Sequence, residues 1–113
     1  MKILNKEKGT ILANNAEVAK TPFKRAVGLL DRKSLSIGEA LIIQPCNSIH
    51  TFFMRFPIDV VFVDTENKVI RVISSLRSFC ITSVYWKSKF VIELPSGTLQ
   101  NTSTVVGDSL EII

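Results

Sequence analysis

The sequence predicts a mainly β domain of the β-rich α+β class, small and barrel- or sandwich-like, with one amphipathic helix near residues 22–31. Short runs of apolar, β-branched and aromatic residues recur at close spacing, and turn-forming Asn, Gly and Pro residues separate them. Only one segment places its apolar residues at helical spacing. A chain of 113 residues is long enough for one apolar core but too short for two. We therefore expect a single domain over residues 1–113.

The first strands are predicted at the N-terminus. Residues 2–4 and 10–13 are short segments in which apolar residues alternate with others. Asn14 and Asn15 follow, and asparagine tolerates the positive φ that a tight turn requires. The pattern predicts a strand, a hairpin turn at the two asparagines and a second strand that continues through Val18.

One amphipathic helix is predicted over Pro22–Asp31. Thr21 suits the N-cap position, and a proline suits the first helical turn. Four apolar residues have the spacing that places them on one helix face: Phe23, Ala26, Val27 and Leu30. Gly28 lowers the helix propensity by about 1 kcal/mol relative to alanine. A close approach of the backbone to a neighbouring strand would explain this glycine.

Three strands are predicted in the centre of the chain. Residues 40–43 are too few and too apolar for a helix, so we expect a buried strand that Pro45 ends. Residues 59–64 and 68–73 flank a turn segment, residues 65–67, with the Asn and acidic side chains typical of tight turns. This pattern predicts a β-hairpin, and its first arm should be a central strand because it is apolar on both faces.

The C-terminal part is predicted to contain two more strands, over residues 84–94 and 109–113, joined by a polar connection at residues 98–104. Side chains alternate between the two faces of a strand. The first of these strands should therefore direct Phe90 and Ile92 to one face, and Val91 and Glu93 to the other.

The net charge of +4 is concentrated in the N-terminal third, where residues 1–33 hold eight Lys and Arg against three Asp and Glu. A basic excess attracts phosphate and other acidic partners, so a nucleic-acid-binding module that uses this third is one hypothesis. The basic residues are interspersed with apolar and acidic ones, which favours an ordinary solvated surface. Nucleic acid is therefore the weaker hypothesis.

The location of the protein is inferred from its apolar runs. None approaches the roughly 20 residues that a membrane span requires, and residues 1–9 contain no long apolar segment of a secretory signal. We expect a cytoplasmic protein with no membrane partner and with free thiols at Cys46 and Cys80. The oligomeric state is not predicted by the sequence.

Cys46 and His50 are the first candidates for chemistry. A thiol and an imidazole four residues apart could be a nucleophile and its base, or two metal ligands. In an extended chain four residues span roughly 13 Å at ~3.3 Å per residue, so a direct pair requires a bend at Asn47 and Ser48. Zinc binding with Cys80 as a third ligand lacks both a C-x-x-C motif and a second histidine. We therefore expect no metal site and no cofactor.

The segment Thr51–Pro57 carries bulky apolar side chains at consecutive positions, so an extended chain would direct one set to the core and the other to a cleft. Arg55 could bind an anion there, or form an ion pair with Asp59 or Glu93. The Asp59 carboxylate could either accept hydrogen bonds from backbone amides or contact a ligand. Glu93, within an apolar strand, must be hydrogen-bonded, paired or exposed.

Four blocks of the sequence form a longer pattern: RAVGLLDR at residues 25–32, IHTFFMRFPIDVVF at 49–62, ELPSG at 93–97 and VGD at 106–108. In their order and spacing these blocks resemble the bacterial and archaeal family labelled domain of unknown function 192, over nearly the whole chain beyond the first strand. The resemblance implies a small mainly β domain with one packed helix and an unassigned biochemical function. Two positions depart from the family pattern, since Leu30 stands where the family has Met and Ser78 where its members often have Pro. The pattern itself falls on Arg25, Gly28, Arg32, His50, Met54, Arg55, Pro57, Asp59, Glu93, Gly97, Gly107 and Asp108.

The leading hypothesis is a ligand-binding or accessory module whose cleft is built on the IHTFFMRFPID segment. An aromatic wall with a few convergent polar groups is typical of small-molecule sites. The partner would be a small or anionic ligand. The alternative is a hydrolytic or transfer enzyme that uses Cys46 or His50 with Asp59, so the sequence leaves open whether the protein is an enzyme. The predicted ligand-binding residues are His50, Phe53, Arg55, Asp59 and Glu93.

Overall fold

The computed structural model describes residues 1–113 and contains eight strands and two short helices. The strands form a three-stranded sheet in the order β2-β1-β8 and a five-stranded sheet in the order β3-β4-β7-β5-β6. The mainly β class predicted from the sequence is confirmed. In chain order the elements are β1 (Ile3–Asn5), β2 (Thr10–Ala13), β3 (Asn15–Ala19), α1 (Pro22–Val27), β4 (Glu39–Ile43), β5 (Ile58–Val63), β6 (Val69–Leu76), β7 (Phe90–Pro95), α2 (Thr98–Thr102) and β8 (Leu110–Ile112).

The five-stranded sheet separates two apolar clusters. Its strands β5 and β7 pair with each other, and all six residues of each strand are buried. The first cluster joins this sheet to the three-stranded sheet through residues that include Ile92, Leu94, Ile3 and Leu110. The second cluster covers the opposite face and includes Val91, Phe62, Leu29, Ile49 and Met54. Complete burial of a side chain of this size contributes about 1.5–3 kcal/mol to stability.

The alternation along β7 decides where Glu93 points. Ile92 and Leu94 belong to the first cluster and Val91 to the second. Because neighbouring side chains point to opposite faces of a strand, Glu93 faces the second cluster. The predicted division of residues 90–93 between two faces is thus confirmed.

The predicted central hairpin is also confirmed. β5 and β6 pair in antiparallel fashion, and the turn between them contains Asn67 with a φ of 61°. The Asp64 carboxylate accepts hydrogen bonds of 2.9 Å from the amides of Glu66 and Lys68, as expected of an aspartate that opens a turn. β4 is the predicted buried strand before Pro45.

The predicted hairpin turn at Asn14 and Asn15 is wrong. β2 pairs with β1, whereas β3 leaves that sheet and pairs in parallel with β4. The amides of both asparagines donate to the Gly38 carbonyl at 3.0 Å, so the chain crosses from one sheet to the other here. The positive φ lies instead in the turn between β1 and β2, where Gly9 has a φ of 66°.

The helix is shorter than predicted because α1 ends at Val27. Gly28 follows with a φ of 51° and a ψ of −121°, a conformation that only glycine adopts readily. Of the predicted apolar face only Leu30 packs on the core, since Phe23 is 76% exposed and no residue of α1 is buried. Leu29 and Leu30 reach the second cluster from the non-helical turn instead.

The C-terminal third differs from the prediction in two places. β7 begins at Phe90 rather than at residue 84, because the preceding segment pairs with a distant loop through the Tyr85 amide and the Asn47 carbonyl, 2.8 Å apart. The predicted polar connection contains the helix α2, whose Leu99 amide donates to Asp59 at 2.9 Å. Both helices are too short to cross a membrane. The last predicted strand is confirmed as β8.

Candidate functional site

A cleft of about 370 Å³ opens between α1 and its following turn, the end of β4, the loop after β4, and β7. This volume lies within the range of about 300–1,000 Å³ that small-molecule sites occupy. Apolar side chains that include Leu29, Ile43, Ile49 and Met54 form most of the wall. Polar or ionisable side chains enter the cleft from α1, from the loop and from β7: Arg25, Cys46, Ser48, His50 and Glu93.

Glu93 is the most unusual group in the cleft. The residue is 3% exposed, and its Oε1 atom has no hydrogen-bond partner within the protein. Burial disfavours the charged carboxylate and raises the pKa of Glu93 from 4.5 to about 7. A buried polar atom without a partner is rare in folded proteins, and a carboxyl with a strongly raised pKa in a cleft is a candidate for function.

Gly28 lies beside Glu93 in the turn after α1. A Cβ atom at Gly28 would lie 3.8 Å from Glu93 Oε1 and 4.0 Å from Ile43 Cδ1, which are ordinary contact distances. The positive φ of 51°, rather than the predicted close approach to a strand, is therefore what requires glycine at this position. The carboxyl faces the cleft with no side chain of the turn in front of it.

Arg25 enters the same cleft from α1. Its Nε atom is buried without a hydrogen-bond partner, and neither of the two ion pairs of the protein involves this residue. Arg25 is not one of the four residues of the predicted apolar helix face, and it was not predicted to be part of the site. Only the family pattern marked Arg25, because helix periodicity does not indicate what an off-stripe side chain meets.

Cys46 and His50 line the cleft without forming a pair. Cys46 Sγ donates to the Ser48 carbonyl at 3.1 Å, and the exposed His50 ring accepts a hydrogen bond at Nδ1 from the Phe52 amide at 3.3 Å. Burial, and then the nearby Glu93 carboxylate, raise the pKa of the Cys46 thiol. Cys80 lies elsewhere, and no group of three or more metal-binding side chains forms.

Asp59 lies on the other face of the sheet. Its carboxylate accepts three backbone N–H groups: Ser75 at 2.8 Å, Leu99 at 2.9 Å and Gly97 at 3.1 Å. Asp59 was predicted either to accept hydrogen bonds from backbone amides or to contact a ligand, and in the structure it accepts the hydrogen bonds. The predicted convergence of Asp59 with His50, Cys46 or Glu93 does not occur, because alternate residues of β5 face opposite clusters.

Arg55 and Phe53 lie outside the cleft as well. Arg55 lines a separate groove with Arg77 and forms no ion pair with Asp59 or Glu93. Phe53 is 76% exposed, and its ring packs edge-on against Phe79 with centroids 5.5 Å apart. The structure therefore brings together two of the five predicted residues, His50 and Glu93, and separates the other three.

Gly28→Ala is expected to lower the free energy of unfolding by about 1–2 kcal/mol, because alanine is unfavourable at a φ of 51°. Gly9→Ala is a matched control, since Gly9 has a φ of 66° and open space where the Cβ would lie. Urea denaturation of both variants measures the backbone strain. Wild-type stability of Gly28→Ala would contradict this assignment of the turn.

Comparisons with known proteins agree with this architecture. A UPF0127 protein of Pyrococcus abyssi is 37% identical over 117 residues, a match that covers 98% of this chain and 97% of the relative. A UPF0127 protein of Pyrococcus horikoshii is 30% identical over 112 residues and is covered to 96% in both chains. A crystal structure of a protein of unknown function from Novosphingobium aromaticivorans superposes with a TM-score of 0.84, at 19% identity, over 98% of this chain and 82% of that one.

The crystal structure shares the fold of this chain, and at that level of identity the likeness extends no further. The family model DUF192, whose description reads "Uncharacterized ACR", matches residues 3–112, almost the entire chain. This match agrees with the resemblance carried by the sequence blocks. The chain therefore belongs to the DUF192 family.

Proposed function

We propose that the protein is a small-molecule-binding domain whose ligand occupies the cleft between α1 and β7. The observation that carries this proposal is the Glu93 carboxyl, which is buried, faces the cleft and has an Oε1 atom without a partner. An unsatisfied buried polar group costs about 1–3 kcal/mol, and more when it is charged. A ligand that donates a hydrogen bond to this atom removes that cost.

Arg25 and Glu93 together restrict the class of ligand that fits the cleft. Its buried Nε–H group needs an acceptor, while the ionised Glu93 carboxylate needs a donor. A primary amide or a hydroxyl group offers both functions, and the apolar wall accommodates a short hydrocarbon portion. The ligand class is therefore a small neutral amide or alcohol.

Binding is favoured over nucleophilic catalysis by the state of Cys46. The thiolate is the reactive form of cysteine, and burial raises the pKa of this thiol. Its Sγ atom donates to a backbone carbonyl, and His50, the base considered from the sequence, accepts a backbone N–H instead. Asp59, the third member of the catalytic alternative, is engaged by three amides on the opposite face.

The proposal is tested by titrating the ¹⁵N-labelled protein with propanamide, glycerol and acetate, and by following the amide signals by NMR. Ligands of this size gain at most about 1.5 kcal/mol per non-hydrogen atom, so concentrations up to tens of millimolar are appropriate. We expect propanamide or glycerol to shift the signals of Gly28, Cys46 and Ile49. Acetate should bind more weakly at pH 8, where Glu93 is ionised.

Glu93→Met removes the acceptor and keeps a side chain of similar length, so we expect it to lower the affinity by about 10- to 100-fold, as for a lost hydrogen bond to a charged group. Glu66→Met is the matched control, since Glu66 is an exposed carboxyl in the turn between β5 and β6. The control should bind as the wild type does. The proposal fails if neither propanamide nor glycerol shifts the cleft signals, or if both variants bind equally well.

A further inference from the structure

Two loops that are distant in the sequence form one surface, which we call the two-loop surface and define as residues 44–57 and 77–89. Thr51 joins the loops. Its amide donates to the Cys80 carbonyl at 2.8 Å, its hydroxyl donates to the Arg77 carbonyl at 2.6 Å, and its oxygen accepts from the Cys80 amide at 3.0 Å. Because Thr51 is buried, the loops keep a fixed register although neither is a regular strand.

An exposed aromatic cluster lies on the two-loop surface. The rings of Phe53 and Phe79 pack edge to face, and the Phe52 ring centroid lies 6.4 Å from that of Phe79. These contacts leave most of the rings open to solvent, with Phe53 exposed to 76% and Phe79 to 63%. Trp86, on the second loop, is 83% exposed. Single exposed apolar residues are ordinary, but an adjoining group of them indicates an interaction site.

Phe53 and Phe79 have a strained backbone conformation. Phe53 has a φ of 66° and Phe79 a φ of 61°, a region that bulky residues adopt rarely. Glycine would occupy both positions without strain. Folding alone therefore does not account for phenylalanine here, and strain of this kind is typical of functional segments.

All of the charged side chains on the two-loop surface are positive. Its two segments contain Arg55, Arg77, Lys87 and Lys89 and no Asp or Glu. Arg55 and Arg77 line a groove of about 550 Å³ that the Phe79 ring also borders. Neither guanidinium takes part in an ion pair of the protein. The groove therefore presents two free cations beside exposed aromatic faces.

We propose that the two-loop surface binds single-stranded nucleic acid. The bases stack on Phe53 and Phe79, and the phosphates enter the groove between Arg55 and Arg77. Aromatic platforms beside a basic groove are the features by which proteins hold unpaired strands without reading their sequence. The four side chains used in this way do not line the cleft, whereas other residues of the first segment, among them Cys46 and His50, do.

Nucleic acid fits this surface better than an acidic protein segment does. Beside the exposed aliphatic side chains of Ile81 and Val84, the surface presents aromatic faces and guanidinium planes. These groups stack on bases and pair with phosphate in a bidentate manner. A peptide would require a continuous apolar groove, whereas the groove here is bordered by two arginines. The basic N-terminal third considered from the sequence lies on other segments and lacks such an aromatic cluster.

The test measures binding of a fluorescein-labelled oligo-dT of about 15 nucleotides by fluorescence anisotropy. Quenching of Trp86, the only tryptophan, reports contact with the surface independently. We expect Arg55→Ala/Arg77→Ala to lower the affinity at least about 10-fold and to reduce the slope of log K against log salt by about 1.4, or ~0.7 per lost phosphate contact. Phe53→Gly should lower the affinity about 5- to 100-fold, yet remain folded because glycine suits this φ.

Lys6→Ala/Lys33→Ala is the matched control, since it removes the same charge from exposed lysines of the N-terminal third. It should retain wild-type affinity at a given salt concentration. The proposal is overturned if the wild type does not bind at low salt, if Arg55→Ala/Arg77→Ala binds as the wild type does, or if a duplex of equal length binds as tightly. Binding of a peptide of alternating Glu and Leu, with no binding of oligo-dT, would overturn it in favour of an acidic protein partner.

Discussion

Asp59→Ala is expected to lower the free energy of unfolding by about 3–5 kcal/mol. The carboxylate accepts the backbone N–H groups of Ser75, Gly97 and Leu99, and the residue is 1% exposed. The substitution leaves three amides without their charged acceptor, and partial rehydration keeps the loss below the sum of three separate bonds. These contacts tie β5 to the end of β6 and to the start of α2. Urea denaturation at neutral pH measures the loss.

Asp64→Ala is the control for this prediction. Asp64 also accepts two backbone amides, but it lies in a partly exposed turn where water replaces the lost acceptor. We expect its substitution to cost about 1 kcal/mol. If Asp59→Ala cost no more than Asp64→Ala, the role of Asp59 as the acceptor that joins three segments would be wrong.

The second large effect is a dependence of stability on pH that Glu93→Gln removes. The pKa of Glu93 is about 7 in the folded protein against 4.5 for the free side chain, so the native state binds more protons than the unfolded state between these values. Stability from this group is complete below pH 4.5 and is lost as the pH rises through 7. The loss amounts to about 3 kcal/mol, at ~1.4 kcal/mol per unit of pKa.

Chemical denaturation at pH 5 and pH 8.5 measures this effect. When the pH is raised from 5 to 8.5, the free energy of unfolding of Glu93→Gln should increase by about 2–3 kcal/mol relative to that of the wild type. Glu66→Gln, an exposed carboxyl, should follow the wild type at both values. If the free energies of unfolding of Glu93→Gln and the wild type differed by the same amount at both pH values, Glu93 would be charged at both. The description of Glu93 as a buried, unpaired carboxyl would then be wrong.

The sequence predicted the central strands well because local patterns determine them. The β5–β6 hairpin was recognisable from two apolar arms and a turn that contains Asn67, and each of these signals lies within a few residues. The path of β3 was not predictable in the same way. Its pairing with β4 joins segments more than twenty residues apart, and alternation of side chains does not specify which strand is the neighbour.

The end of α1 illustrates a different limit. Apolar spacing favoured a helix through residue 31, but the backbone at Gly28 stops it at Val27. The sequence contained the relevant signal, since a glycine in a helix pattern can mark either a close approach or an end. Periodicity could not choose between these two. Phe23, which the pattern assigned to the core, is therefore exposed.

The candidate site was only partly predictable for a related reason. Glu93 was recognised because a carboxylate in an apolar strand requires an explanation. Arg55 and Asp59 were predicted to line the same cleft as Glu93, but Asp59 points to the other face of the sheet and Arg55 lies in a loop beside a separate groove. Arg25 was missed because its place in the cleft depends on how α1 lies beside β7, a tertiary feature that no local pattern encodes.

The titration of Glu93 itself tests whether this residue is a buried and unpaired carboxyl, as the proposed binding site requires. The ¹³C chemical shift of the Glu93 carboxyl carbon, followed against pH by NMR, gives the pKa of this group without a substitution. We predict a midpoint near pH 7 in the free protein, and a lower midpoint when propanamide or glycerol saturates the cleft, because a donated hydrogen bond stabilises the carboxylate. A midpoint near 4.5 in the free protein would contradict the description of Glu93 as a buried, unpaired carboxyl. A midpoint that neither ligand moves would contradict its role as the acceptor for the ligand.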